Sequence, residues 1–220
     1  MKRQGSEIRD QGSGVAARLS GRRQQIAGVT ILLVAAAVAT APLYLYNFSC
    51  GHDFDFHLVS WLDALHSWRL GILYPQWAPS PNYGAGEPRF LFYPPATWML
   101  GALLGMVSNG RHVPLLMTFL LLAATGFGTR ALARYALSEG PATLAGCFAI
   151  FSGYALFTVY ERSAYAELAG GFWIPILLLL VLREGKARGS DHQSLLRRVF
   201  GGSALGLAVG GVRLRWSART

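Results

Sequence analysis

Two short stretches of this chain collect most of the side chains that could do chemistry. The first, CGHDFDFHLVSWLDALHS (50–67), sets three Asp and three His among large hydrophobes, and the second, YERSAYAEL (160–168), holds Glu161, Arg162 and Glu167. Asp53, Asp55 and His57 crowd together just past a long apolar run. A carboxylate beside lipid is costly there unless it has a partner or a task. Zinc is one candidate, using His52, Asp53, Asp55 and His57, although four ligands this close in sequence do not easily converge on one tetrahedral ion. A second is a hard divalent cation held by Asp53 or Asp55 together with substrate phosphates, because such ions accept few protein carboxylates. A third is a general base, since a carboxylate desolvated at a membrane edge has its pKa raised. For either Asp alone, plain capping and solvation is the fourth reading.

The elements that must position these groups follow from composition. The chain has 220 residues, 52% hydrophobic and 14% charged, with a mean hydropathy of +0.33. A soluble domain is closer to about a quarter charged, so this is the composition of a membrane protein. The net charge of +9 does not indicate nucleic acid, because the basic residues form no aromatic-interleaved patch and lie beside apolar segments. Two cysteines, Cys50 and Cys147, make neither a disulfide framework nor a CxxC metal signal.

Hydropathy predicts spans at 26–46, 113–135, 141–160 and 168–183, with an incomplete fifth at 199–212. Residues 1–25, with six Lys or Arg and no periodicity, read as a disordered basic cytoplasmic tail. A cleavable signal peptide is the alternative for 26–46, but no clear small-x-small site follows it. The apolar segment 91–107 decides the topology. If it crosses, Arg130, Arg134 and five basic residues that follow the fourth span, Arg183, Lys186, Arg188, Arg197 and Arg198, lie outside, against the positive-inside rule. If it is re-entrant or juxtamembrane, thirteen basic residues fall inside and only Arg69, Arg89, Arg111 and Arg162 outside. Tyr93, Pro94 and Pro95 break its beginning, Trp98 suits an interface, and Gly101 and Gly105 weaken its helix. The non-crossing arrangement puts 47–112 and 161–167 on one external face of a multi-pass cell-membrane protein with a cytoplasmic N-terminus.

Within the first loop, Phe54, Leu58, Trp61, Leu65 and Trp68 recur at spacings of four and three, predicting an amphipathic interfacial helix over 54–69. Its apolar stripe is expected to face the membrane, with Asp53 as N-cap and Asp55 and Asp63 turned away. Residues 71–95 follow with six of the ten prolines, and with Trp77 and Tyr93 among several aromatics. Such rings suit either the floor of a sugar site or a headgroup-level belt.

Taken together, DFDFHLVSWLDALHSWRLGILYPQWAPSPNYGAGEPRFLFYPP and YERSAYAELAGGFWIPILLLL resemble the bacterial polytopic family described as "membrane protein, 6-pyruvoyl-tetrahydropterin synthase-related", from about Phe48 to Leu182. Nothing in this chain could build the three-His zinc site of the soluble pterin synthases, and no pterin site is evident. A weaker similarity is to the GT-C membrane glycosyltransferases, which move sugars from polyprenyl-phosphate or similar lipid carriers at the outer membrane surface. That resemblance implies an all-α polytopic transmembrane bundle, a GT-C-like N-terminal module, with a membrane lipid and a polyprenyl-phosphate sugar donor as partners. Asp53 or Asp55 would match the first-loop catalytic acid, and Glu161 or Glu167 the second-loop one, with Asp55 and Glu167 ranked first. Arg162 would hold a donor phosphate, and His57, Tyr93 and Trp77 would contact substrate, with or without a divalent cation. The chain ends AVGGVRLRWSART, which cuts the last apolar run after fourteen residues. A truncated or frame-shifted reading frame is one expectation from that ending, and an inactive fragment is then one of the outcomes. A non-catalytic envelope scaffold and a transporter-like protein are the other readings.

Overall fold

The computed structural model describes residues 2–46 and 51–200, with side-chain environments over 20–46 and 51–186. The chain divides into two compact units, Met1–Ile176 and Leu177–Thr220. The first contains helices α1 (Lys2–Tyr46), α2 (Phe54–Arg69), α3 (Arg89–Phe92), α4 (Pro95–Val107), α5 (Val113–Ala133), α6 (Glu139–Ile150) and α7 (Gly153–Phe157). A π-helical turn, Thr158–Arg162, follows α7, and α8 (Tyr165–Phe200) then runs on into the second unit. Among the described residues, four helical stretches are long and apolar enough to cross a membrane: Ser20–Tyr46, Gly110–Ala133, Glu139–Arg162 and Tyr165–Lys186. This is an all-α polytopic bundle. Most of the predicted fifth span, 199–212, lies outside the described residues.

Helix α4 is apolar but has 13 residues, about 20 Å at 1.5 Å per residue, too short for a hydrocarbon core of about 30 Å. It packs on α2 instead. Trp61 lies over Gly101, where an added Cβ would come within 2.2 Å of the indole, and Leu65 lies over Gly105. The two glycines thus form a G-x-x-x-G groove that admits large side chains from the neighbouring helix. This corrects two expectations. The glycines receive α2 as well as weakening α4, and the apolar stripe of α2 faces protein: Trp61 and Leu65 are buried, and Leu58 and Trp68 pack against the same core. Asp63 is buried too, accepting hydrogen bonds from Ser80 N at 3.1 Å and Ser80 Oγ at 2.5 Å.

Small residues also set the spacing of the spans. Gly126 of α5 and Gly146 of α6 meet so closely that a Cβ on Gly146 would lie 2.6 Å from the Gly126 carbonyl oxygen. Gly28 of α1 lies against Thr143 and Glu139, and Leu32 against Gly146, so α1 and α6 run parallel. Arg130 of α5 bonds Glu139, so α5 runs antiparallel to both. At the other end of the bundle the Tyr160 hydroxyl donates to the Ala39 carbonyl. Backbone of the basic tail differs from the expected disorder: α1 is helical from Lys2. Extending an existing helix costs far less than nucleating one, and Arg, Gln and Ala tolerate it well.

Candidate functional site

The linker before α2 docks onto the π-helical turn. His52 N donates to the Glu161 carbonyl at 3.3 Å and Asp53 N to the Arg162 carbonyl at 2.8 Å. Gly51 fits where a Cβ would meet Ser163 Oγ at 2.5 Å. Ser163 itself closes the turn in the left-handed region, φ 52°. A π-helical turn re-aims the side chains that follow it, and here it delivers Arg162 between two carboxylates.

Arg162 Nη1 donates to Glu167, 2.7 Å from Oε1 and 2.8 Å from Oε2, and Nη2 donates to Asp53 Oδ2 at 3.1 Å. Tyr154 donates its hydroxyl to Glu167 Oε2 at 3.0 Å, and His52 Nδ1 lies 2.8 Å from Asp53 Oδ1. The hydrogen bond from His52 and the charge of Arg162 hold the Asp53 carboxyl below its ordinary range. All three members of the triad remain open to solvent, with side-chain exposures of 28% for Asp53, 37% for Arg162 and 39% for Glu167.

Beside this triad stands a wall of rings. The imidazole of His57, almost fully buried, packs against Tyr165 at 5.2 Å, Phe56 at 5.6 Å, Tyr93 at 5.8 Å and Trp61 at 6.1 Å between ring centroids. Burial pushes its pKa down to about 4, with Asp53 pulling upward and Arg89 adding to the depression, so it is neutral at physiological pH. Burial, with Asp53 and Glu167 nearby, raises the Tyr93 phenol. Tyr93 also borders a cleft of about 330 Å³ with Phe56, Glu87, Arg89 and Phe92.

The 71–95 loop delivers Arg89 to this place. Ala78 and Glu87 exchange backbone hydrogen bonds at 2.8 and 3.0 Å, and Gly84 and Gly86 take φ values of 88° and 77° that favour glycine. Arg89 then bonds Glu87 at 2.5 Å, the Phe56 carbonyl at 3.0 Å and Ser60 Oγ at 2.9 Å, with its guanidinium 4.1 Å from the Phe56 ring centroid.

The sequence-predicted residues therefore separate. Asp53, Glu167 and Arg162 form one cluster, with His57 and Tyr93 in the aromatic wall beside it. Asp53 occupies the N-cap position of α2 but makes no capping bond with its side chain; the two stronger partners take it. Asp55 and Glu161 are exposed, and neither carboxylate has a hydrogen bond or ion pair among the described residues. Arg162 pairs with Glu167 and Asp53 rather than with the adjacent Glu161. Trp77 lies half exposed on the loop, its ring against Gly86. Arg89, Tyr154 and Tyr165 are additions; they lie in loop or helix-end stretches of aromatic and charged residues, the only signal for them, while His52, a candidate zinc ligand by sequence, is a partner of Asp53. Among the described residues no group of three or more His, Cys, Asp or Glu is placed to hold a metal ion. Comparison with family models, with curated proteins and with solved structures finds no match to this chain.

Proposed function

We propose that this membrane protein transfers a sugar from a polyprenyl-phosphate-type lipid donor, working at the outer face of the cell membrane in the manner of the GT-C enzymes it resembles. One observation carries the reading: Asp53 and Glu167, from segments 114 positions apart, share a single guanidinium, solvent-open and beside aromatic faces. Between them lie two helical stretches long and apolar enough to cross, Gly110–Ala133 and Glu139–Arg162, and two crossings would return the chain to the face it left. The opposite end of the bundle carries Arg22, Arg23, Arg130 and Arg134, and the positive-inside rule assigns that end to the cytoplasm.

The chemistry follows from exchange at Arg162. A donor phosphate competes for its two-pronged hydrogen bonds. Once Arg162 turns to phosphate, Asp53 or Glu167 loses a positive neighbour, its proton affinity rises, and it becomes a better base toward an acceptor hydroxyl. Tyr93 and the Phe56 ring supply flat apolar and polar contacts suited to a sugar; His57, expected to contact substrate, is buried behind them and can only hold the wall in place. Asp53 and Glu167 alone do not make a full protein cage for a divalent cation.

The test is release of labelled sugar from a polyprenyl-phosphate donor by the full chain reconstituted in vesicles. Glu167→Gln and Arg162→Lys should each lower transfer at least a hundredfold while leaving insertion and detergent stability near those of the parent. A second reading, a strap joining two loops in a non-catalytic scaffold, is favoured by the backbone bonds that stitch His52 and Asp53 to Glu161 and Arg162. It predicts the opposite: no transfer by the parent chain and lower stability in both variants.

A further inference from the structure

We propose that the groove between the start of the apolar span in α1 (Ser20–Tyr46) and the N-terminal end of α6 binds one anionic phospholipid, with its phosphate at the polar end and a chain along the apolar end. The groove has a volume of about 570 Å³. Gln24, Ser138 and Glu139 line one end, and Ile31, Leu144 and Cys147 the other. Because α1 and α6 run parallel, with Gly28 level with Thr143 and Leu32 level with Gly146, this polarity gradient runs along the helix axes as a lipid's does. The apolar end opens onto a surface suited to hydrocarbon, where Ile31, Leu144 and Phe148 are 50%, 56% and 69% exposed.

Charge selects the headgroup. Glu139 is the one acid lining the groove, and two guanidiniums already hold it: Arg130 through Nε at 2.8 Å and through Nη2, and Arg134 through Nε at 3.1 Å. Arg134 also donates Nη1 to the Leu137 carbonyl at 3.3 Å, which leaves Nη2 without a partner among the described residues. Its side chain is 42% exposed. Arg22 and Arg23 are exposed on α1 immediately before Gln24. Among the described side chains of α1, α5 and α6 at this end, four arginines stand against one carboxylate, and a phosphodiester at the membrane surface supplies the missing negative charge. A zwitterionic lipid brings its own cation and fits less well. The inference needs only the membrane-spanning bundle and is independent of the sugar-transfer reading.

Native mass spectrometry of the full chain released from nonionic detergent tests this directly. With equal dioleoyl phosphatidylglycerol and dioleoyl phosphatidylcholine present, the parent should retain one phosphatidylglycerol with at least a tenfold preference. Leu144→Trp, which fills the groove from an exposed position, should abolish that retention, and Arg134→Gln should weaken the preference severalfold. In the Cys50→Ser variant, where Cys147 is the sole thiol, phosphatidylglycerol should slow maleimide modification while glycerophosphate, which lacks chains, should not. Equal retention of the two lipids by the parent, undiminished phosphatidylglycerol on Leu144→Trp, or protection of Cys147 by glycerophosphate as strong as by lipid would each overturn the assignment.

Discussion

Acid should destabilise this protein through His57, and the effect can be sized from the site. The buried imidazole titrates at about 4 in the folded chain against about 6.5 when unfolded. Between those values the unfolded chain binds a proton that the folded one refuses, so stability rises with pH. The contribution is fully present above about 6.5 and is lost as pH falls toward 4. At about 1.4 kcal/mol per pH unit, the loss comes to about 3 kcal/mol by pH 4. Asp53 does not blur this window, because its folded pKa lies below 3.8 and its contribution is lost only at lower pH. The groups bearing on His57 are Asp53, which opposes the shift, and Arg89, which adds to it. His57→Phe keeps a ring in the aromatic wall and removes the titration. Unfolding free energies in detergent, from denaturant curves followed by tryptophan fluorescence from pH 8 to pH 4, should therefore fall by about 3 kcal/mol more in the parent than in the variant. Parallel losses in the two proteins would refute the reasoning.

Other consequences follow from the packing and the topology. Gly101→Val should destabilise by about 2–3 kcal/mol, because a side chain there meets the buried Trp61 indole; thermal unfolding in detergent reads it. Asp63→Ala should cost about 1–2 kcal/mol by freeing Ser80, with faster proteolysis of the 71–95 loop as the readout. A single cysteine at Glu161, in a background lacking Cys50 and Cys147, should react with an impermeant maleimide added outside whole cells, whereas one at Arg134 should not. Reaction at Arg134 from outside would end the proposed orientation.

How much of this was legible in the sequence depended on range. The span lengths and the shortness of 95–107 are local properties of hydropathy, and α2 announced itself by spacing. Hydropathy does not say which partner covers an apolar stripe. Membrane and the Gly101–Gly105 groove look alike to the period of Trp61 and Leu65, and the glycines looked only like helix weakeners. The choice between Asp53 and Asp55 was likewise hidden, because it rests on a guanidinium 109 positions away. Capping was the local expectation for Asp53, and the longer-range ion pair displaced it. The third span reads as one apolar run at 141–160, yet it breaks after Ile150 and widens into the π-helical turn. That break is what aims Arg162 at Asp53 and Glu167, and no local propensity signals it. The part-buried Arg130–Glu139 pair has no local signal either, since Glu139 lies just outside the predicted span.

The central claim, that Asp53 rather than Asp55 joins Glu167 in sugar transfer, is tested most directly by assaying Asp53→Asn and Asp55→Asn side by side. With a polyprenyl-phosphate sugar donor in reconstituted vesicles, Asp53→Asn should lose transfer at least a hundredfold, and Asp55→Asn should stay within about threefold of the parent. Full transfer by Asp53→Asn, or its loss in Asp55→Asn alone, would contradict the account.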